Sequence, residues 1–201
     1  MALTLTGLAG VARRSEAQTA QVLIEWTNTW KYNQSGMNLG TGWKETGYND
    51  AAWPSGRGLL GFEPDNPDFY TVHAPINTAL TVTTPSITVT TYYFRTTFQF
   101  SGGALGLSLV ASNLVDDGLV LYLNGTNVGN VRAVSPFSAT SFFGGPATEG
   151  QLDVVPITNL LPLKTGGNVM AVEVHQSAAN SSDVMFGLKL LAFRPTPPSA
   201  S

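Results

Sequence analysis

Residues 87–100 read ITVTTYYFRTTFQF. Along an extended chain Phe94, Phe98 and Phe100 fall on one side, and Arg95, Thr97 and Gln99 on the other. A period of two is the signature of a half-buried β-strand. The same alternation recurs downstream. Leu105, Leu107 and Leu109 alternate with small residues, and Leu119, Leu121 and Leu123 form another row. Between 168 and 176, Met170, Val172 and Val174 oppose Ala171, Glu173 and His175. Between 184 and 193, Phe186, Leu188 and Leu190 share a face. Turn clusters separate these runs: Ser101-Gly102-Gly103, Asp116-Asp117-Gly118, Asn124-Gly125, Gly144-Gly145-Pro146 and Gly166-Gly167. Many short strands punctuated in this way predict an all-β fold, a β-sandwich of the jelly-roll type.

Only residues 9–21 offer a helical period, and it is short. The chain divides into an N-terminal arm (1–21), one sandwich (22–194) and a Pro-rich tail, PTPPSAS (195–201). Residues 31–85 are of another kind. They hold Trp43, Trp53 and many Gly and Pro, and they read as long loops carrying aromatics, a frequent seat of function. Residues 1–12 are mildly apolar, with Arg13-Arg14 after them, the reverse of a secretory signal's order, so the expectation is a native start.

The chain has 201 residues, a net charge of −3 and 11% charged residues, well below the quarter usual in soluble domains. Its polar surface is mostly Thr, Ser and Asn. Without basic blocks it lacks the electrostatic footprint of a nucleic-acid binder. No apolar run is long enough for a membrane helix. Zero Cys excludes disulfides, thiol nucleophiles and thiolate metal sites.

Several motifs follow in order: Trp30-Lys31-Tyr32, Gly42-Trp43, Tyr48-Asn49-Asp50-Ala51-Ala52-Trp53-Pro54 and Leu60-Gly61-Phe62. Then come Tyr92-Tyr93-Phe94-Arg95, Tyr122-Leu123-Asn124-Gly125, Asn168-Val169-Met170-Ala171-Val172-Glu173-Val174-His175 and Ser181-Ser182-Asp183-Val184. Over about residues 22–193 this series resembles a galactose-binding-domain-like β-sandwich module, found in large secreted bacterial proteins. It is also distantly similar to the jelly-roll sugar-binding domain of β-galactosidase-type glycosidases, which has the aromatic-Arg strand, the Leu-Asn-Gly turn and the Gly-Asn-x-x-Ala-Val-x-Val strand. The resemblance implies a jelly roll and non-catalytic binding or adhesion, and it names no ligand. Residues 129–148 (GNVRAVSPFSATSFFGGPAT) depart from the family pattern, as does a module standing alone from its own Met1.

The polar candidates each have two readings. Asp116 and Asp117 offer oxygen ligands to Ca²⁺, with Glu173 or Asp183 completing the set. Alternatively one Asp caps a turn and Gly118 takes a positive φ. His175, Glu173 and Asp183 form either an acid/base or metal set or a buried polar network. Arg95 either faces a ligand or pairs with Asp116 or Asp117. Trp43 and Trp53 pin loops to the sandwich or stack on sugar rings. Phe69-Tyr70, Phe137 and Phe142-Phe143 are exposed candidates, for ligand or for subunit contacts. Arg13 and Arg14 join the assembly set through the arm. No nucleophile elbow, zinc helix or phosphate loop occurs.

A non-catalytic structural or binding protein is the expectation. Its leading form is a virion decoration, tail or baseplate component, built in the host cytoplasm and packed on itself or on a capsid or tail protein. The alternative is a free-standing carbohydrate-binding or adhesion module at the cell surface or outside it, with a glycan ligand. A hydrolase is the third reading. No cofactor is expected beyond the candidate Ca²⁺. The four Lys leave little charge to guard strand edges, which also points to an assembled protein.

Overall fold

A computed structural model describes residues 18–65, 67–82, 89–144 and 148–195. Twelve strands form two six-stranded sheets. The strands are β1 (Gln18–Ile24), β2 (Thr29–Asn33), β3 (Ser55–Arg57), β4 (Leu60–Phe62), β5 (Thr78–Ala79), β6 (Thr91–Phe100), β7 (Ser108–Asp116), β8 (Gly118–Leu123), β9 (Thr126–Val131), β10 (Leu152–Ile157), β11 (Gly166–His175) and β12 (Val184–Pro195). One sheet runs β10-β7-β12-β4-β5, with β1 also on β12; the other runs β3-β2-β6-β11-β8-β9. From β6 to β12 every connection except β8–β9 crosses between sheets, as a jelly roll requires. A single helical turn, α1 (Asp68–Thr71), and a 3₁₀ turn, Gly42–Lys44, complete the fold. The all-β sandwich read from the strand period is the observed architecture.

Alternation decides which side chains meet between the sheets. Phe94, Phe98 and Phe100 of β6, Leu119, Leu121 and Leu123 of β8, Met170, Val172 and Val174 of β11, and Phe186, Leu188 and Leu190 of β12 all enter one buried core. Phe186 stacks on Phe94 at 4.1 Å between ring centroids and meets the edge of Trp30 at 4.9 Å. The Asn124-Gly125 pair joins β8 to β9 with φ of 49° and 87°, the two positive values of a tight hairpin turn.

Four sequence expectations need correction. Gln18–Gln21, the end of the expected helical arm, belong to β1 and pair with β12, whose backbone supplies their hydrogen bonds; residues 1–17, with Arg13 and Arg14, lie outside the described residues. The 31–85 stretch is not loop throughout, since β2 to β5 thread through it. Leu105 leaves the inward row and is 98% exposed in the β6–β7 loop. Gly118 is not among the positive-φ glycines. A Cβ there would stand 2.9 Å from the Phe143 Cβ and from the Val131 carbonyl oxygen, so the glycine makes room for Phe143.

Candidate functional site

The outward face of the β6/β11 sheet assembles the site. Strand register sets three rows across it: Lys31–Arg95–Ala171–Tyr122, Asn33–Tyr93–Glu173–Val120 and Thr91–His175–Gly118. Loop 34–54 leaves β2, lies over these rows and inserts Trp43 and Trp53, both buried. Trp43 meets Tyr93 at 4.8 Å and Tyr122 at 5.7 Å, edge to face. Trp53 packs in the same cluster beside Tyr48.

Arg95 pins this loop. Its Nε donates to Asp50 Oδ2 at 2.8 Å, and its Nη1 donates to the Trp43 carbonyl oxygen. With 4% exposure it is buried. Pairing with Asp116 or Asp117 is thereby overturned, because loop 34–54 delivers Asp50 from 45 positions away. Beside the pin is a groove of about 270 Å³ bordered by Thr29, Lys31, Asp50, Ser55 and Thr97.

On the other flank of the loop opens a cavity of about 350 Å³. Its lining includes Trp43, Lys44, Tyr93, Tyr122, Phe137 and Glu173. Glu173 is 6% exposed, and its Oε1 accepts a 2.5 Å hydrogen bond from the Tyr122 hydroxyl. Burial and that carboxylate push the Tyr122 phenol well above its ordinary value. Burial likewise raises Tyr93 to about 12. Both phenols therefore stay neutral, and Tyr122 acts as a donor. The Lys44 ammonium stands 4.2 Å from the Tyr122 ring centroid, a cation–π contact. The cavity is thus walled by aromatic side chains, one carboxylate, two phenols and one cation.

His175 lies behind this cavity and is fully buried. Its ring stacks on Phe143 at 3.9 Å, nearly parallel. A carbonyl oxygen can only accept, so His175 Nδ1 is the donor to the Ser141 carbonyl at 2.8 Å. The neighbouring Thr91 hydroxyl donates to the Ala139 carbonyl. Nε2 faces Glu173 Oε2 at 3.5 Å. The imidazole thus supports the wall of the cavity, and with Thr91 it ties residues 139–141 to the sheet.

The other polar candidates gather elsewhere, where β4, β7 and β12 meet. Carboxylate oxygens of Glu63, Glu149 and Asp183 all lie within 4.8 Å of one another, the kind of oxygen ligands that Ca²⁺ takes. Asp116 stands beside them, its pKa raised to about 9, first by burial and then by Asp117 and Asp183. Asp183 and Glu149 are also raised, both mainly by burial. Asp117 instead turns to the backbone. Its Oδ2 accepts the Ser177 N–H at 2.6 Å, and its carbonyl accepts Arg132 Nε. Glu173 is on the opposite sheet and does not join this group.

Among the aromatic candidates, Phe69 is 51% exposed, but Tyr70 is buried and donates to Glu149 Oε2 at 2.7 Å. Phe143 is likewise buried, against its expected exposure, because it packs on His175. Phe142 is 41% exposed, and Phe137 is half-buried, edge-on to Phe143 and lining the cavity. Tyr122, Tyr93 and Lys44 are missing from the sequence-derived set. Strand phase could have found the two tyrosines, since each sits out of step with an inward row.

No protein-family model matches the chain, and no curated protein sequence matches it. Solved structures share the fold. A β-glucuronidase from Bacteroides uniformis is 16% identical with a TM-score of 0.51, covering 89% of this chain and 18% of that one. A β-glucuronidase from glycoside hydrolase family 2 is 15% identical at 0.51, covering 90% and 18%. The Ruminococcus gnavus β-glucuronidase in complex with D-glucuronic acid is 12% identical at 0.50, covering 92% and 30%. The chain therefore spans under a third of the length of these enzymes, and the likeness is one of fold.

Proposed function

We propose that the protein is a non-catalytic carbohydrate-binding module that takes a saccharide into the cavity between Trp43, Tyr122, Phe137 and Glu173. The carrying observation is the buried Glu173 carboxylate, held by the Tyr122 hydroxyl, at the wall of an aromatic-lined cavity of about 350 Å³. Small-molecule sites combine apolar walls with a few fixed polar groups in this way. Aromatic faces accept the C–H faces of a sugar, the carboxylate accepts its hydroxyls, and Lys44 donates to its oxygens. The lining includes one carboxylate, whereas most glycoside hydrolases use a pair; this supports binding over hydrolysis. The names of the fold neighbours make saccharides, uronic acids among them, the first ligands to try.

A glycan array followed by calorimetry tests the reading. Binding to one glycan class is expected, with a loss of about tenfold or more in Glu173→Gln and Phe137→Ala, as for a group central to a site. A blank array with the protein folded overturns it. A virion surface is our proposed setting for this module. It is supported by the 11% charge and the neutral Thr, Ser and Asn surface, which loses little when a neighbour covers it. Capsid or portal genes beside this one support that setting, and their absence overturns it.

A further inference from the structure

Loop 34–54 has two flanks, and the groove on the Arg95 flank shares no lining residue with the cavity beside Trp43 and Glu173 on the other. Strand register builds its floor. Ser55, Lys31 and Arg95 stand side by side on β3, β2 and β6, and Arg57 lies opposite Thr29 on the same outward face. The Arg95 side chain is 4% exposed. Its Nε and Nη1 are engaged by Asp50 and the Trp43 carbonyl, but Nη2 has no acceptor among the described residues. Nη2 is not sealed from solvent either, so the groove that Arg95 lines is where it can find one. The Lys31 ammonium has three donors and gives one, to the Trp53 carbonyl at 3.1 Å. Arg57 is exposed and makes no ion pair among the described residues.

We propose that this groove is a second ligand site, which takes the oxyanion of a small hydroxylated acid, a carboxylate or a sulfate ester. Charge selects that ligand. The lining has two cations, Lys31 and Arg95, against one carboxylate, Asp50, which Arg95 already holds at 2.8 Å. Arg57 at the edge strand adds a third cation. The groove is thus positive in a chain whose net charge is −3. The free donors agree with the charge. A buried guanidinium N–H without a partner is costly, and a charge-assisted hydrogen bond to an oxyanion satisfies it. Lys31 and Arg95 are direct cross-strand neighbours, with Cβ atoms about 5 Å apart, so one oxyanion can accept from both. The Tyr48 ring centroid is 5.4 Å from Arg95 Cζ, a cation–π contact that further fixes the guanidinium. Size sets the rest. A volume of about 270 Å³ is just under the roughly 300 Å³ at which ordinary ligand pockets begin, so the ligand is small. Thr29, Ser55 and Thr97 border the groove with hydroxyls, which suit a ligand carrying hydroxyls of its own.

Calorimetry on the full chain with galacturonate, galactose 6-sulfate and galactose tests the proposal. At least one acid should bind about tenfold or more tightly than galactose, the gain expected of a hydrogen bond to a charged group. The better of the two acids tells carboxylate from sulfate ester. Raising the salt from about 0.01 to 0.15 M shortens the screening length from roughly 30 to 8 Å and should weaken that binding several-fold. Lys31→Met and Arg57→Gln combined remove two cations that are at least partly in water, so the melting temperature should hold within about 3 °C. Affinity for the acid should fall at least about tenfold in that variant. If the double variant melts early, amide shifts in the wild type decide instead, and changes centred on residues 29–31, 55–57 and 95–97 support the groove. Acids that bind no better than galactose overturn the proposal, as does binding that ignores salt or survives in the folded double variant. Shifts at Lys44, Tyr122 and Glu173 in place of the groove also overturn it, and they leave the cavity on the other flank to its own test.

Discussion

The outward face of the β6/β11 sheet and that of the β7/β12 sheet begin from the same strand alternation and end differently. On the first, loop 34–54 supplies a cover, and the face beneath carries polar side chains: Arg95, Glu173 and His175 are all buried there. On the second, toward β1 and β10, the described outward residues Val22, Val110, Leu191 and Phe193 are uncharged, and Val22 is 43% exposed. The contrast follows from the cost of burying charge. A charged group can be buried when its partner is built into the same chain, as Asp50 is for Arg95 and Tyr122 for Glu173. Polar machinery therefore sits under the covered face.

The largest effects test the common core beneath both faces. Phe186→Ala removes the ring stacked on Phe94 and met by Trp30, and should cost about 3–5 kcal/mol in urea unfolding. Arg95→Met comes next. It strips the pin from loop 34–54 and leaves Asp50 and the Trp43 carbonyl without their donor. Because the Asp50 side chain keeps 28% exposure, the expected cost is about 2–4 kcal/mol, below that of breaking a fully buried pair. Trp43 should become wetter, read as a red shift in tryptophan emission, and saccharide binding should weaken. Arg95→Lys should rescue little, since an ammonium cannot reproduce the forked contact to Asp50 and the carbonyl. A full rescue would reduce Arg95 to a simple charge.

The core and the two faces also differ in how far the sequence alone reveals them. The inward rows of β6, β8, β11 and β12 are legible because alternation is local. It places Phe94, Leu121, Val172, Phe186 and Leu188 in the core without knowledge of any partner strand. The outward phase of Tyr93, Tyr122 and Glu173 is legible for the same reason. The Arg95–Asp50 pin and the Glu63–Glu149–Asp183 group are not, because loops far apart in sequence bring them together and no local period records it. Burial of Tyr70 and Phe143 is hidden likewise: each is covered by packing that only the folded chain supplies. Residues 18–21 mislead because β1 lacks alternation and takes its order from β12.

A pH series separates the acidic end of the β7/β12 sheet from the rest of the molecule. Asp116 has a folded pKa raised to about 9 against an ordinary 3.8. The fold therefore favours its protonated form. That contribution is complete below about pH 4 and is lost as pH rises through 9, so stability should fall with rising pH over this window. Asp116→Asn, which keeps the neutral shape, should flatten the slope in thermal melts from pH 5 to 9. An unchanged slope would remove Asp116 from the account. The cavity beside Trp43 and Glu173, on the other sheet, should show no matching change in that variant.

The smallest effect probes the β7/β12 face directly. Lys189 pairs with Glu25 at 3.1 Å, with both side chains partly in water, so Lys189→Met should alter monomer stability by no more than about 0.5 kcal/mol. Thermal melts should therefore match the wild type within about 2 °C. A larger loss would mean that the pair, which joins the end of β1 to β12, holds that edge strand in place.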